Sequence, residues 1–299
     1  MTSQDNARSP SGAARVTGLI GWPVSHSLSP ALHNYWLRQF GIDGMYAPFP
    51  VHPDKVGDAI EGLRALGVAG ANVTVPHKTA VMPHLDKLTA TAGRLEAVNT
   101  LIVHKDGLVT GDNTDAYGFE SSLKAHAGSQ VAKQIEQNQQ VMMVGAGGAA
   151  RAVLDAVLNA GYSRVVITNR TPDKADALAA HFQQFYPQAV ITTTSWDQRA
   201  DALNETHLLI NTTSLGMAGK PALDIDVSAL PGDAVVADIV YVPLITPLLS
   251  AARDRGLTIV DGLDMLLYQA QAAFEAWHGE RPPVDAALRQ MMLDRIRDG

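Results

Sequence analysis

The stretch 141–157, VMMVGAGGAARAVLDAV, constrains this chain more than any other. An uncharged apolar run leads into Gly145-x-Gly147-x-x-Ala150, and a helical pattern follows. Val153, Leu154, Val157 and Leu158 recur on one face of that helix, over 149–160, until Gly161 stops it. A second apolar run, RVVITN at 164–169, comes next. Strand, glycine turn, helix and strand at this spacing form a βαβ unit, which demands a parallel sheet. The glycines permit a tight turn and let backbone approach a pyrophosphate, whose charge the helix N-terminus meets. Glycines also mark ordinary turns. Here the flanking strand and helix select a dinucleotide site.

Helical and strand patterns alternate along the whole chain, as in an α/β fold. In the first half, VTGLIG (16–21) reads as a strand and SPALHNYWLRQFG (29–41) as a helix. That helix has Ser29 as N-cap, Pro30 at its first position and Gly41 as its stop. MYAPFPV (45–51) reads as an edge strand because of its prolines, before a helix over 53–66 and a strand at 70–75. TLIVHKDGLVTG (100–111) reads as a hairpin turning at Asp106-Gly107, and a helix is expected over 114–127. The second half continues with a helix from Thr171 and strands AVITT, HLLINTT (207–213), AVVADIV (234–240) and LTIVDG (257–262). Composition shifts at the polar stretch 128–140.

At 299 residues the chain has room for two domains. Lys plus Arg total 23 against 30 Asp plus Glu, a net charge of -7 that argues against nucleic acid or an anionic membrane as partner. An anionic ligand must therefore meet a local positive site. There is no cysteine, which excludes disulfides, thiolate zinc sites and cysteine nucleophiles and fits a cytoplasmic protein. No metal is expected. The sequence has no run of about 20 apolar residues for a membrane span. Residues 1–15 are small and polar, without the apolar core of a signal peptide, and are expected to form a disordered tail.

The first half carries a second polar constellation. ANVTVPHK (71–78) starts as a strand, must stop at Pro76, and places Lys78 just beyond. In HSLSP, Ser27 and Ser29 stand two apart at a helix start, where hydroxyls and unpaired N–H groups suit a carboxylate. A simple N-cap explains Ser29 equally well, and His26 reads as a structural hydrogen-bonding histidine. GDNTDAYG (111–118) adds Asp112 and Asp115, and EAVNTL (96–101) adds Asn99. A lysine and an aspartate converging on a cleft supply a proton donor and the group that orients it. In the second half, Asn169-Arg170-Thr171 and Lys174 stand where NAD sites place an acid. A guanidinium there pairs with a 2′-phosphate that a carboxylate would repel, so NADP is favoured.

In order along the chain, HSLSPALHN, GANVTVPHK, EAVNT, GDNTDAYG, GAGGAAR, NRT, NTTSLGM and DGLDMLLYQAQAAFEAWHG resemble the motifs of the shikimate dehydrogenases. The resemblance covers nearly all of the chain beyond the tail. It implies an N-terminal α/β substrate domain with a mixed, mainly parallel sheet over 16–115, completed by C-terminal helices 263–299. It implies a C-terminal Rossmann-like NADP-binding domain over 116–262. The implied activity is reversible, NADPH-dependent reduction of 3-dehydroshikimate to shikimate, toward chorismate and the aromatic amino acids.

Carried over by motif, Ser27 and Ser29 would hold the substrate carboxylate. Thr74, Asn99 and Gln269 would bind ring hydroxyls, with Tyr241 nearby. Lys78 and Asp115 would form the catalytic pair, in contact with substrate. Gly145, Ala146, Gly147, Gly148 and Ala149 would wrap the pyrophosphate, and Asn169, Arg170, Thr171 and Lys174 the adenosine phosphate. Ile239 and Gly262 would border the nicotinamide. Three positions depart from the common pattern: Lys174 for arginine, Asp264 for glycine and Ile239 for methionine. An NAD-linked quinate/shikimate dehydrogenase competes with this expectation, as does a silent NADP-binding regulator, which would have lost Lys78 or Asp115. Glutamyl-tRNA reductase, with a similar plan, needs a cysteine. A monomer or homodimer is expected.

Overall fold

Among residues 9–298, which the computed structural model describes, the strands form two six-stranded sheets. The chain folds as two units, one running to Thr114 and resuming at Ala270, the other Asp115–Gln269. The second division falls inside a helix, past the expected 263. Residues 1–8 of the expected tail lie outside the described residues. Order begins earlier than expected: Ser11 bonds Asp43 through its N–H at 3.1 Å and its hydroxyl, and the first strand starts at Arg15.

In the first unit, β1 (Arg15–Gly21), α1 (Ser29–Gln39), β2 (Gly44–Pro50), α2 (Val56–Ala65) and β3 (Gly70–Val73) alternate. They are followed by β4 (Lys87–Leu88), α3 (Ala90–Leu95), β5 (Thr100–Val103) and β6 (Val109–Asp112). The sheet order is β2-β1-β3-β5-β6-β4; β3–β5 and β5–β6 are antiparallel and the other pairs parallel. The proline-bearing β2 is an edge, because proline cannot donate to a second neighbour. The β5–β6 hairpin turns at Asp106-Gly107, where Gly107 has φ +84° and Asp106 Oδ1 accepts from the Leu108 N–H. Ile20, Ile60, Val73, Val81 and Leu101 pack one core of this unit.

The second unit holds α4 (Asp115–Glu136), β7 (Gln140–Val144), α5 (Gly148–Ala160), β8 (Arg164–Thr168), α6 (Pro172–Gln183) and β9 (Val190–Thr194). It continues with β10 (Thr206–Asn211), β11 (Val235–Asp238), α7 (Pro247–Asp254) and β12 (Thr258–Val260). Every pair is parallel, in the order β12-β11-β10-β7-β8-β9, which is the doubly wound dinucleotide-binding arrangement. Strand order reverses between β7 and β10, and ligands bind such folds at that switch point. The α/β fold class and the parallel C-terminal sheet are thus borne out. Helix α4 runs past the expected 127, bending at Ala127 (φ −139°). Its polar second half, where composition shifts, is packed: Gln134 is buried, accepts from the Tyr162 hydroxyl at 2.6 Å and donates to the His207 carbonyl at 2.9 Å.

Helices α8 (Gly262–His278) and α9 (Ala286–Asp298) close the chain. Trp277 of α8 is buried against the first sheet and donates its indole N–H to the Leu101 carbonyl at 2.9 Å. Burial of such a ring stabilises by about 1.5–3 kcal/mol. Gly70 leaves room for it, since a Cβ there would strike the Trp277 indole nitrogen and the Leu101 carbonyl. Gly70→Ala is therefore expected to destabilise by about 1–3 kcal/mol through overpacking. Thermal melting should fall by several degrees; an unchanged midpoint would show that the indole moves freely. Among the described residues no helix is long and apolar enough to cross a membrane.

Candidate active site

Five of the expected site residues lie in the first unit. Strand β3 ends at Val73, two residues short of the expected limit, and the chain past it is pinned by its backbone. The Thr74 N–H donates to Ile20 O at 2.9 Å, and the buried His77 ring bonds the Val51 carbonyl at 2.7 Å. The Lys78 carbonyl accepts from the Val98 N–H at 2.8 Å. This bond ties the lysine backbone to the segment carrying Asn99 and leaves Thr74 and Lys78 half-buried.

The loop before α1 differs from expectation. The N-cap residue is Leu28, and Ser29 is already helical. Ser27 Oγ accepts from the Ser29 N–H at 3.2 Å, a turn in which the hydroxyl two residues back takes the amide. The Ser29 hydroxyl is therefore spent on no cap. His26, expected to be structural, is exposed.

Asn99 is buried within a polar network. Its Oδ1 accepts from the Thr114 N–H and the Thr100 hydroxyl, both at 2.8 Å, and its Nδ2 reaches Thr114 Oγ1 at 3.1 Å. Asn72 of β3 donates to the Asn99 carbonyl at 3.2 Å and accepts from the Tyr46 hydroxyl at 2.7 Å. Tyr46 is held on both sides of its backbone by Asn34, at 3.0 and 2.9 Å, and its ring stacks on His33 at 4.2 Å. Burial pushes the His33 pKa down to about 3, so that ring is neutral. Sequence reading missed Tyr46 and Asn72. Both sit inside stretches read only as strands, and the buried asparagine in a fully buried strand is the signal that could have found them.

The remaining residues lie in the second unit. Gly145 follows β7 with φ +113°, and a Cβ there would lie 2.5 Å from Thr212 Oγ1. Gly147 caps α5 without a side-chain acceptor, and nothing lies within 4 Å of where a Cβ on Gly147 or Gly148 would be. The first amides of a helix have no partner within it, and with open space over Gly147 and Gly148 this helix start fits a pyrophosphate. At the end of β8, Asn169 Nδ2 donates to the Thr171 carbonyl at 2.8 Å, shaping the turn. Arg170, Thr171 and Lys174 are exposed at the start of α6. These residues fit a 2′-phosphorylated dinucleotide. Among the described residues no cluster of acidic and histidine side chains could hold a metal.

Gly262 lies against the Ile239 carbonyl, with the Val240 carbonyl 2.7 Å from where its Cβ would stand. Two residues far apart in sequence are thereby brought together. Tyr241 follows in the same loop, half-buried, and burial holds its phenol above the ordinary value. Asp115 is the first residue of α4, and Gln269 lies on α8 with Nε2 donating to Leu266 O at 2.9 Å. The two helices meet at Gly118, whose Cβ would approach Gln269 N and Cβ at 2.9 Å and Met265 O at 2.6 Å. Farther along, Asp264 and His126 pair at 2.6 Å across the same helices. The unusual Asp264 thus has a local partner.

Three family models match the chain. "Shikimate dehydrogenase substrate binding domain" covers residues 19–101, "Shikimate / quinate 5-dehydrogenase" covers 128–218, and "Shikimate 5'-dehydrogenase C-terminal domain" covers 262–292. The shikimate dehydrogenase (NADP(+)) of Paramagnetospirillum magneticum is 50% identical over 283 residues, 95% of this chain and 99% of the relative. The Thermus thermophilus shikimate 5-dehydrogenase in complex with NADP(H) and shikimate is 33% identical, with TM-score 0.79 over 94% of this chain and 99% of that one. The quinate dehydrogenase of Corynebacterium glutamicum in complex with NAD is 29% identical, with TM-score 0.86 over 94% and 99%. The motif resemblance is borne out along nearly the whole length, and this chain belongs to the shikimate dehydrogenase family.

Proposed function

We propose that this protein catalyses the NADPH-dependent, reversible reduction of 3-dehydroshikimate to shikimate, a step toward chorismate and the aromatic amino acids. The observation that carries this reading is the 50% identity, over 95% of the chain, to a relative named shikimate dehydrogenase (NADP(+)). The basic pair Arg170 and Lys174 after β8 supports NADP as the cofactor. Asn169 and Thr171 shape that turn, and Gly145, Ala146, Gly147, Gly148 and Ala149 take the pyrophosphate at the start of α5. Ile239 and Gly262 border the nicotinamide. When bound, NADPH supplies the hydride.

The N-terminal unit is assigned to substrate and the C-terminal unit to NADP. Ser27, whose Oγ already organises the turn, and Ser29 hold the carboxylate. Thr74, Asn99 and Gln269 hold ring hydroxyls, and Tyr241 also binds substrate. The Lys78 ammonium stabilises the oxyanion that develops at the ring ketone and, with Asp115 orienting it, delivers the proton. A cytoplasmic location and a monomer or homodimer go with this reading.

Following nicotinamide absorbance as purified protein meets shikimate or quinate, each with NADP⁺ or NAD⁺, tests it. The expected result is turnover with shikimate and NADP⁺ at least tenfold more efficient than any other pair, about 1.4 kcal/mol of discrimination. Preference for quinate with NAD⁺ would move the protein to the activity named for the Corynebacterium relative. No turnover with either acid would overturn the reading.

A further inference from the structure

The carboxyl ends of β10 and β11 hold a buried polar knot to which no role above is assigned. Asp238 ends β11 and is 2% exposed; Asn211, its register partner on β10, is 0% exposed. Asp238 Oδ1 accepts from Asn211 Nδ2 and from the Val240 N–H, both at 3.0 Å. Its Oδ2 accepts from the Thr246 hydroxyl at 2.8 Å. Asn211 also donates to the Leu215 carbonyl at 3.0 Å and accepts from the Thr213 N–H at 3.0 Å and hydroxyl at 2.7 Å. Thr246 meanwhile caps α7, accepting from the Leu249 N–H at 3.3 Å.

A buried carboxylate bonded only to neutral donors is costly, and an apolar or amide side chain would fill the space at less expense. Burial pushes the Asp238 pKa up to about 6. What offsets the cost is visible in the bonding: one carboxylate ties the end of β10 at Asn211, the loop 239–246 at Val240 and the start of α7 at Thr246, and Asn211 in turn holds the loop after β10. Along the second, exposure alternates. Asp238 and Val240 are buried, whereas Ile239 and Tyr241 are half-buried. Holding the Val240 N–H therefore fixes the peptide between the two residues assigned to nicotinamide and substrate. Charge-assisted bonds orient more strongly than neutral ones. In strand register and sequence the titratable groups next to Asp238 are Asp261, which follows the β11 neighbour β12 and whose Oδ1 accepts from the Leu263 N–H at 3.1 Å, and the neutral phenol of Tyr241.

We infer that Asp238, supported by Asn211 and Thr246, is a positioning residue that holds Ile239 and Tyr241 in their working places. The inference rests on the roles proposed for those two residues. Thr246→Val keeps the side-chain shape and removes the donor to Oδ2, whereas Thr246→Ser retains the hydroxyl. In the full chain, kcat and KM for shikimate and NADP⁺ are measured from about pH 5 to 9, alongside thermal melting. Thr246→Val is expected to raise the KM for shikimate by about tenfold, the effect of losing one charge-assisted bond. With one donor fewer the carboxylate binds its proton more tightly, so the acid limb of kcat/KM moves to higher pH. Thr246→Ser should restore both.

Asp238→Asn, which cannot titrate, should lose the component of that limb near pH 6. Two outcomes overturn the inference: Thr246→Val melting lower with KM and acid limb unchanged, or Asp238→Asn keeping the limb intact. A wild-type protein inactive on shikimate would instead overturn the proposed function.

Discussion

Lys78→Ala is expected to lower kcat by about 10²–10⁴-fold, the range for a positioned proton donor, while the KM for shikimate changes only a few-fold. The asymmetry follows from where the charge is needed. In either ground state the reacting oxygen, hydroxyl of shikimate or ketone of 3-dehydroshikimate, is neutral, and a nearby ammonium gains little from it. As hydride arrives, negative charge grows on the oxygen, and only then does the ammonium contribute strongly. The backbone around Lys78 is held by bonds that do not involve its side chain: its carbonyl accepts from the Val98 N–H, and His77 anchors the preceding turn through Val51. The variant should therefore melt close to wild type. Steady-state rates with shikimate and NADP⁺ decide the matter, and turnover within about threefold of wild type would remove Lys78 from the chemistry.

Much of the fold was legible because its signals are local. The glycine turn at 145–150, the hairpin at Asp106-Gly107 and the proline-marked edge strand each follow from one residue type at one place. The two-residue overshoots of strand limits fell at carboxyl ends: 75 against Val73, 213 against Asn211, 240 against Asp238 and 262 against Val260. Apart from Asp261-Gly262, the surplus residues are all β-branched and read as strand, yet they leave the ladder to form the turns that carry Thr74 and Ile239. Local propensity does not register that a loop is bent by long-range bonds, such as Asp238 to Thr246 or Thr74 to Ile20. The same blindness hid Gln134, which lies in the polar stretch where composition shifts and is a buried hydrogen-bonding hub, and Tyr46, whose value lies in its contact with Asn72 of another strand. The residues proposed to react were picked out through motif order. The groups that hold them were not, since a supporting residue is defined by its partner rather than by its neighbours in sequence.

Arg170→Ala is expected to raise the KM for NADPH by about tenfold to a hundredfold, the loss of charge-assisted bonds worth about 1.5–3 kcal/mol. The KM for NADH should change only slightly, because NADH carries no phosphate at that position. Arg170 is exposed at the turn into α6, so its removal leaves the core untouched and the melting temperature near wild type. Lys174, within the first turn of the same helix, remains as a point charge without the planar fork, which is why some preference for NADPH should survive. Ionic strength supplies the discriminating control. An exposed guanidinium–phosphate contact is screened by salt, so the gap between wild type and variant should narrow as salt is raised from about 0.01 M to 1 M, where the Debye length falls from about 30 Å to 3 Å. A gap unchanged by salt would mean that Arg170 acts by stacking on the adenine, and equal effects on NADPH and NADH would remove it from phosphate recognition altogether.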